Sequence, residues 1–399
     1  MDAQSSSFPI GASATLSELE GADPHRLLDR LREREPVSWL PAVDGWLVTR
    51  RDLALAVMRD AGTFTVNDPR FSTAQVVGPS MLSLDGAEHE RHRAPFSRAF
   101  RLGPVHERFT EFVEAECDSL LDRIAAWGEA DLRTALSGPL SVAAMAAALG
   151  LDDLPADVPL AWYGAIVGAV TDITAGREPS PEGADAFAAL ARALDPVLER
   201  EPAATLLGAA ARGAGALDRG EVVSNAAVLL FGGIETTDGM IANALFHVLS
   251  SDLAPPELAE HPALAANVVE ESLRLEPAAA VVDRYATRDV ELGGATIGRR
   301  ELVRVSLSAA NRDPAVFAEP HRFVPDRENA RLQAAFAHGP HVCLGMHLAR
   351  LEARVALVRA GERLPGLRLD PDRGAAPTGL VFRKPGELRV LWSPSTVVP

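Results

Sequence analysis

A mainly α-helical fold with a smaller β region is what three observations on the sequence predict. Apolar residues recur at helical spacing over most of the chain. The stretch from Glu221 to Ser250 is nearly apolar all round and, at 1.5 Å per residue, would run roughly 45 Å through the interior of a domain. Alternation of apolar and polar residues is confined to short pieces far apart in sequence, which a small sheet would have to gather. The chain has 399 residues, 47% of them hydrophobic, ample for a large core. No internal repeat, low-complexity tract or linker interrupts it. A sheet gathered from distant strands would tie the two ends together, so one domain over 1–399 is expected, with 1–22 irregular.

In chain order, Asp23 reads as an N-cap with Pro24 at the first helical position, opening "PHRLLDRLRERE". "GWLVTR" alternates as a strand does. Arg51 to Asp60 is helical, as is Glu88 to Phe100, interrupted at Pro95. Val105 to Trp127, Ser141 to Leu149 and Ala184 to Leu194 follow. The Pro/Gly/Ala-rich run Ala175 to Ala184 reads as a loop between helices. Ala263 to Leu275 and Gly345 to Ala360 complete the helices, while "RDVELGG", "LVRVSL", "LVFR" and "LRVLW" supply the later strands. The long apolar helix is not a membrane span, because Glu235 and Asp238 sit in its middle and Gly232-Gly233 weakens it.

Composition narrows the function. Two cysteines exclude a disulfide framework and fit a reducing cytoplasm. The N-terminus has no basic region followed by an apolar run, so it reads as neither signal peptide nor membrane anchor. A net charge of −16 argues against nucleic acid and anionic membrane as partners. Lys384 is the only lysine; the remaining cationic side chains are arginine, as a GC-rich coding sequence gives.

Three constellations carry chemistry. In "FAHGPHVCLG", Gly339 and Gly345 flank Cys343, Pro340 removes a donor, and the loop runs into a helix whose N-terminus favours a thiolate. His338 and His341 add donors nearby. A lone anionic sulfur suits one iron better than zinc, which takes four ligands; the same residues also fit a small buried cysteine in a turn before a helix. In "FGGIETTDG", Glu235 is a carboxylate where burial is expensive, and Thr236 can bond back to the Gly232 carbonyl and bend the helix. An acid and an alcohol at such a groove are equipment for proton delivery; a glutamate satisfied by a neighbouring arginine fits equally. In "EESLR", Glu271 and Arg274 share a helix face, a signal that is weak alone.

Together these residues resemble a known family. Phe336-x-x-Gly339-x-x-x-Cys343-x-Gly345 is similar to the haem-binding loop of the cytochromes P450. Gly232 to Thr237 resembles their oxygen-activating helix segment, and Glu271-x-x-Arg274 their core pair. "HERHR", His89 to Arg93, resembles a propionate-binding H-x-x-x-R. "DRYATRDVELGG" resembles the strand whose arginine, here Arg284, grips a propionate. "ANRDPAVFAEPHRF" resembles the stretch in which Arg322 would complete a triad with Glu271 and Arg274. The order fits, from about Asp23 to Trp392, and the missing anchor points to the soluble bacterial class.

The resemblance implies a fold in which haem b lies buried between the long helix and the cysteine loop. It implies Cys343 as the thiolate ligand of iron, with glycines that make room for the porphyrin and amides that temper the sulfur. Phe336 and Gly345 would line the cofactor, and His89, Arg93, Arg284 and His341 would neutralise its two propionates. Glu235 and Thr236 would relay protons during O2 activation. The implied enzyme is a monooxygenase fed with electrons, ultimately from NAD(P)H, by a separate ferredoxin and its reductase; a cytoplasmic monomer is expected. The docking patch would carry Arg98, Arg101, Arg350, Arg354 and His347. Three departures from the family pattern stand out: Ala337 where glycine is common, Gly232 where alanine is common, and Met346 where a small residue is common.

The resemblance also places the substrate pocket in Val77 to Leu84, Ile166 to Thr174, Ile234, Ala278 to Val282 and Leu380-Val381, with Met81, Leu82, Ile234, Ala279, Val281 and Val381 as its lining. Asp172 is the only charge among these segments, apart from their neighbours. Such a lining suits an apolar or amphipathic terpenoid, steroid or polyketide. The rival functions are a peroxide-driven haem peroxygenase, which would not need the acid–alcohol pair, and a non-catalytic haem-fold recruitment module, which could lose the cysteine or the pair. Both features are intact here.

Overall fold

The computed structural model describes residues 7–174, 177–199, 207, 210–211, 217–373 and 376–394. Its longer helices are α1 His25–Arg34, α2 Arg51–Arg59, α3 Gly86–Ser97, α4 Leu102–Ile124, α5 Gly138–Leu149, α6 Asp157–Thr174, α7 Pro181–Glu199, α8 Arg219–Leu249, α9 Pro262–Leu275 and α10 Met346–Arg363. The strands are β1 Val37–Leu40, β2 Gly45–Val48, β3 Phe64–Thr65, β4 Glu129–Asp131, β5 Val281–Ala286, β6 Val290–Leu292, β7 Ala295–Ile297, β8 Leu302–Ser306, β9 Arg368–Leu369 and β10 Arg389–Leu391.

α8 is the axis of the molecule. Asp218 caps it by accepting from the Glu221 N–H at 2.8 Å, and the Glu221 side chain bonds back to the Asp218 N–H, a reciprocal pair that satisfies orphan donors of the first turn. Its 31 residues are apolar on every side because α5, α6, α7, α9 and α10 all pack against it. A helix with no solvent face can be apolar all round only if it is enclosed in this way.

The largest sheet has the order β1-β2-β8-β5-β3. β2 and β8 are parallel and the other pairs antiparallel, with Arg284 of β5 opposite Val303 of β8. A second sheet, β4-β10-β9, joins residues 129–131 to the C-terminal region. The two ends also meet directly, since Arg383 Nη1 donates to the Gly21 carbonyl at 3.1 Å and the Gly379 N–H to the Glu20 carbonyl at 2.8 Å. The sheet of distant strands is therefore as expected.

Several expectations need correction. Residues 7–22 are not irregular: they form short helices Pro9–Ser13 and Leu16–Glu20. The buried Glu35 carboxylate organises them by accepting the Ile10 and Gly11 N–H groups at 2.8 and 2.9 Å. Residues 1–6 lie outside the described residues. The first long helix begins one residue later than its cap signal, with Pro24 as N-cap, although Asp23 Oδ1 still accepts from the His25 N–H at 3.3 Å. α3 continues through Pro95 to Ser97. α6 was expected only as pocket lining, because its apolar residues show no clean helical stripe. The loop after it is shorter than Ala175 to Ala184, since α7 starts at Pro181; residues 175 and 176 lie outside the described residues. "LVFR" is not a strand but a hairpin with isolated bridges, Ala279 to Phe382 and Thr378 to Lys384.

The Glu271–Arg274 pair is completed by Arg327, not by Arg322. Arg274 forks onto Glu271 at 2.7 and 2.8 Å, and Arg327 Nε lies 3.0 Å from both Glu271 oxygens. Arg322 contributes only its carbonyl, which accepts from Arg274 Nη2 at 3.0 Å; its side chain is exposed and paired with Glu319. Glu271 and Arg274 are fully buried, and removing one member of such a group strands the others at a cost of about 3–5 kcal/mol.

Candidate active site

The cysteine loop closes on itself through the Cys343 N–H, which donates to the Phe336 carbonyl at 2.8 Å. Burial pushes the Cys343 thiol up, while N–H groups of Gly345 and Met346, with the charges of Arg93 and Arg350, pull it down. The amides therefore do point at sulfur, from the first turn of α10. The glycines divide their work differently from expectation. A Cβ on Gly339 would lie 2.4 Å from the Met58 carbonyl oxygen, and its φ is +79°, so contact with α2 by itself requires glycine there. A Cβ on Gly345 would meet nothing within 4 Å. Ala337, the departure from a usual glycine, still adopts the left-handed φ of +59°, a strained choice for alanine. Burial, with the charges of Arg59 and Arg51, pushes the His338 imidazole down. Phe336 lies beneath the Arg350 guanidinium, 4.5 Å from ring centre.

Beside this loop stand a half-buried and a buried arginine, Arg93 and Arg284. Arg93 Nη2 donates to the Val342 carbonyl at 2.6 Å, and Arg284 Nη1 to the Asp283 carbonyl at 2.7 Å. Neither guanidinium has a carboxylate partner among the described residues, and burial pushes both downward. His89 from α3 and His341 from the loop have ring centres 4.3 Å apart. His89 Nε2 is buried with no hydrogen-bond partner. Burial, then the nearby His341 and Arg93, hold its imidazole down at about 4. His341 Nε2 is 2.8 Å from Asp85 Oδ1. Burial pushes the Asp85 carboxyl up, but bonds from His341, Thr65 and the Val66 N–H outweigh it and hold it at about 2. Unpaired buried cations and an orphaned imidazole are costly unless anions complete them.

α8 supplies the other wall. Between Val222 and Leu245 every residue is buried except Gly232, Gly233 and Thr236. Gly232 and Thr236 lie one turn apart on one face. A Cβ on Gly232 would meet nothing within 4 Å, whereas one on Gly233 would strike Met145 Sδ at 2.3 Å. The first glycine keeps a face open and the second lets α5 pack. Thr236 Oγ1 donates back to the Gly232 carbonyl at 2.6 Å, the bond its position predicts. Glu235 is held by partners the sequence did not announce: Lys384 Nζ at 2.8 Å, and the Tyr163 hydroxyl of α6.

A model of the family described as Cytochrome P450 matches residues 257–360. Cytochrome P450 107B1 of Saccharopolyspora erythraea is 33% identical over 385 residues, covering 90% of this chain and 91% of the relative. The chain belongs to the cytochrome P450 family. Mycinamicin IV hydroxylase/epoxidase of Micromonospora griseorubida is 34% identical over 381 residues, with 91% and 94% covered. The crystal structure of CalO2 superposes with a TM-score of 0.84 at 28% identity, covering 95% of this chain and 99% of that one. Membership makes the chain a haem-dependent monooxygenase that consumes O2. The residues present fit haem: one sulfur with two amides, two guanidinium groups without counter-ions, and an orphaned imidazole suit a macrocycle with two carboxylates. No helix of the described residues is long and apolar enough to cross a membrane.

The expected pocket residues of the P450 fall into two groups. The N–H of Met81 donates to Asn225 Oδ1 of α8 at 2.8 Å, two turns before Gly232, which holds the Met81-Leu82 segment against that helix. Val381 accepts from the Ala280 N–H at 2.9 Å, which brings Ala279 and the C-terminal hairpin together. Ile234 and Val281 are 2% and 7% exposed, as buried as Met81 at 5%. Asp172 is neutralised by Arg177 at 2.8 Å. Phe382 was missed; its ring meets Phe231 of α8 edge-on at 5.9 Å. Of the docking residues, Arg350 is occupied, with Glu270 at 2.6 and 3.1 Å. Arg98, Arg101 and Arg354 have no ion pair among the described residues.

Proposed function

We propose that this P450 inserts one atom of O2 into an apolar or amphipathic small molecule of terpenoid, steroid or polyketide type, with electrons delivered from NAD(P)H by a ferredoxin and its reductase. Haem held by Cys343 supplies oxygen activation. The Gly345 and Met346 amides stabilise the negative sulfur and limit its donation. His89, Arg93, Arg284 and His341 would hold the propionates, and Phe336 and Gly345 would line the cofactor. Thr236 presents a hydroxyl on the open face of α8, and Glu235 relays protons from its own side of the helix to that hydroxyl. Met81, Leu82, Ala279, Val381 and Phe382 exclude water and orient the substrate by apolar contact. Hydroxylation and epoxidation, both named for the Micromonospora relative, are open to such a pocket.

One observation carries this reading: a sulfur that receives two amides, next to the half-buried Arg93 and the buried Arg284, neither of which has an ion pair among the described residues. The test is the reduced carbon monoxide spectrum. Cys343→Ser abolishes the strongly red-shifted Soret band of thiolate ligation, and Cys117→Ser keeps it. The reverse pattern overturns the assignment.

A further inference from the structure

Lys384 is a charged group that the reading above leaves unused. It closes the hairpin Thr378 to Lys384, whose ends exchange backbone bonds at 3.1 and 3.2 Å. Its stem passes Gly239 of α8, where a Cβ would lie 3.4 Å from both Cβ and Cδ of the lysine. The ammonium ends 2.8 Å from Glu235 Oε1 and 2.9 Å from Asp238 Oδ2. The three side chains are only 15%, 10% and 6% exposed, so solvent screens them little.

Other groups face the pair from the elements around it. Tyr163 of α6 donates to Glu235 Oε2. From the turn before α5, Arg133 Nη2 lies 2.8 Å from Asp238 Oδ2, and Ser137 Oγ donates to Asp238 Oδ1 at 2.6 Å. Asp131 of β4 acts on Arg133 and not directly on the pair. Lys384 is therefore the only cation that touches both carboxylates among the described residues. Two carboxylates one turn apart in a buried wall repel each other, and one of them takes up a proton unless a counter-charge serves both.

We propose that Lys384 is the positioning residue that lets Glu235 and Asp238 carry two negative charges together, and that fixes Glu235 beside the open Gly232–Thr236 face ready to accept a proton. This rests on the reading of Glu235 and Thr236 as the proton-delivery pair. Asp238 reports the effect: burial pushes its carboxyl up, and the charge of Lys384 with the Arg133 bond brings it below its usual range. Without Lys384, no cation among the described residues bonds to both carboxylates, since Arg133 bonds to Asp238 and reaches Glu235 by its charge alone, and the pair takes up one proton that belongs to both groups.

The experiment compares haem-loaded wild type, Lys384→Met, Lys384→Arg, and Lys384→Met with Glu235→Gln. Methionine keeps the stem against Gly239 and removes the charge; Lys384→Gln replaces it if the methionine variant does not fold. Infrared difference spectra across neutral pH should show a titrating protonated-carboxyl band in Lys384→Met. Wild type and Lys384→Arg should show no such band beyond any from the buried Glu352, and the double variant should lose the additional band. Product formed per reductant consumed should fall several-fold for Lys384→Met and stay level for Lys384→Arg. A Lys384→Met protein with no new band and the wild-type coupling profile overturns the inference. Thr236→Ala and Glu235→Gln serve as controls. If neither raises peroxide release, the proton-delivery reading itself fails; if both do and Lys384→Met does not, only the role of Lys384 fails.

Discussion

Glu352 is 1% exposed on α10, and its Oε2 has no hydrogen-bond partner among the described residues. Burial alone pushes its carboxyl well above the usual range. The folded chain therefore holds a proton there that the unfolded chain releases at ordinary carboxylate pH. Stability falls as pH rises between the two values, by about 1.4 kcal/mol per unit. Glu352→Gln should remove that slope: in denaturant unfolding the variant gains on wild type from pH 5 upward, roughly in step with the titration, and gains little below it. A parallel pair of curves would show that the carboxyl is already paired. The two cysteines make a similar contrast. Burial pushes the Cys117 thiol up to about 12, so it stays an inert core side chain. Cys343 is also pushed up by burial, but two amides and two guanidiniums oppose it.

At the level of elements, the cysteine loop is a rigid clasp between α2 and α10. Gly339 has a left-handed φ and the Met58 carbonyl at its α-carbon, so Gly339→Ala carries both backbone strain and a backbone clash. Thermal unfolding should show a loss of about 2–4 kcal/mol, with faster haem dissociation because the loop can no longer seat on α2. Ala337→Gly relieves left-handed strain of about 1–2 kcal/mol and gives back part of it as unfolded-state entropy. It should unfold no lower than wild type, and a clear loss would mean that the alanine methyl packs usefully against the core around Met58. The glycines of α8 follow the same logic. Gly233 and Gly239 are forced by packing, against Met145 Sδ at 2.3 Å and Ala278 Cβ at 2.9 Å, whereas Gly232 has room for a methyl.

Across the whole molecule, the net charge of −16 opposes an acidic ferredoxin, so any attraction must be local. Arg98 and Arg101 are exposed in the segment between α3 and α4. Arg350 is spent on Glu270 and cannot serve as a free cation. Arg98→Glu with Arg101→Glu should therefore slow reduction by a ferredoxin about tenfold or more at low salt, with the gap closing as salt rises, because rim charges set association rate more than final affinity. Stopped-flow reduction against ionic strength is the measurement. Rates insensitive to both salt and charge reversal would place the donor elsewhere.

The sequence by itself determined the helical fold, the long buried axis, the cysteine loop and the Thr236 back-bond. Each of these is written locally: a period of apolar residues, a glycine beside a cysteine, a hydroxyl four residues after a carbonyl. Tertiary structure alone decided which partner each buried charge received. Arg327 and not Arg322 closes on Glu271, Glu270 claims Arg350, and Gly339 answers to α2. Lys384 reaches Asp238 across 146 residues of chain, and Glu235 beside it. The physical reason is that a buried ion must find a counter-charge within about 4 Å. Which residue stands there depends on how distant segments pack, and no local pattern records that.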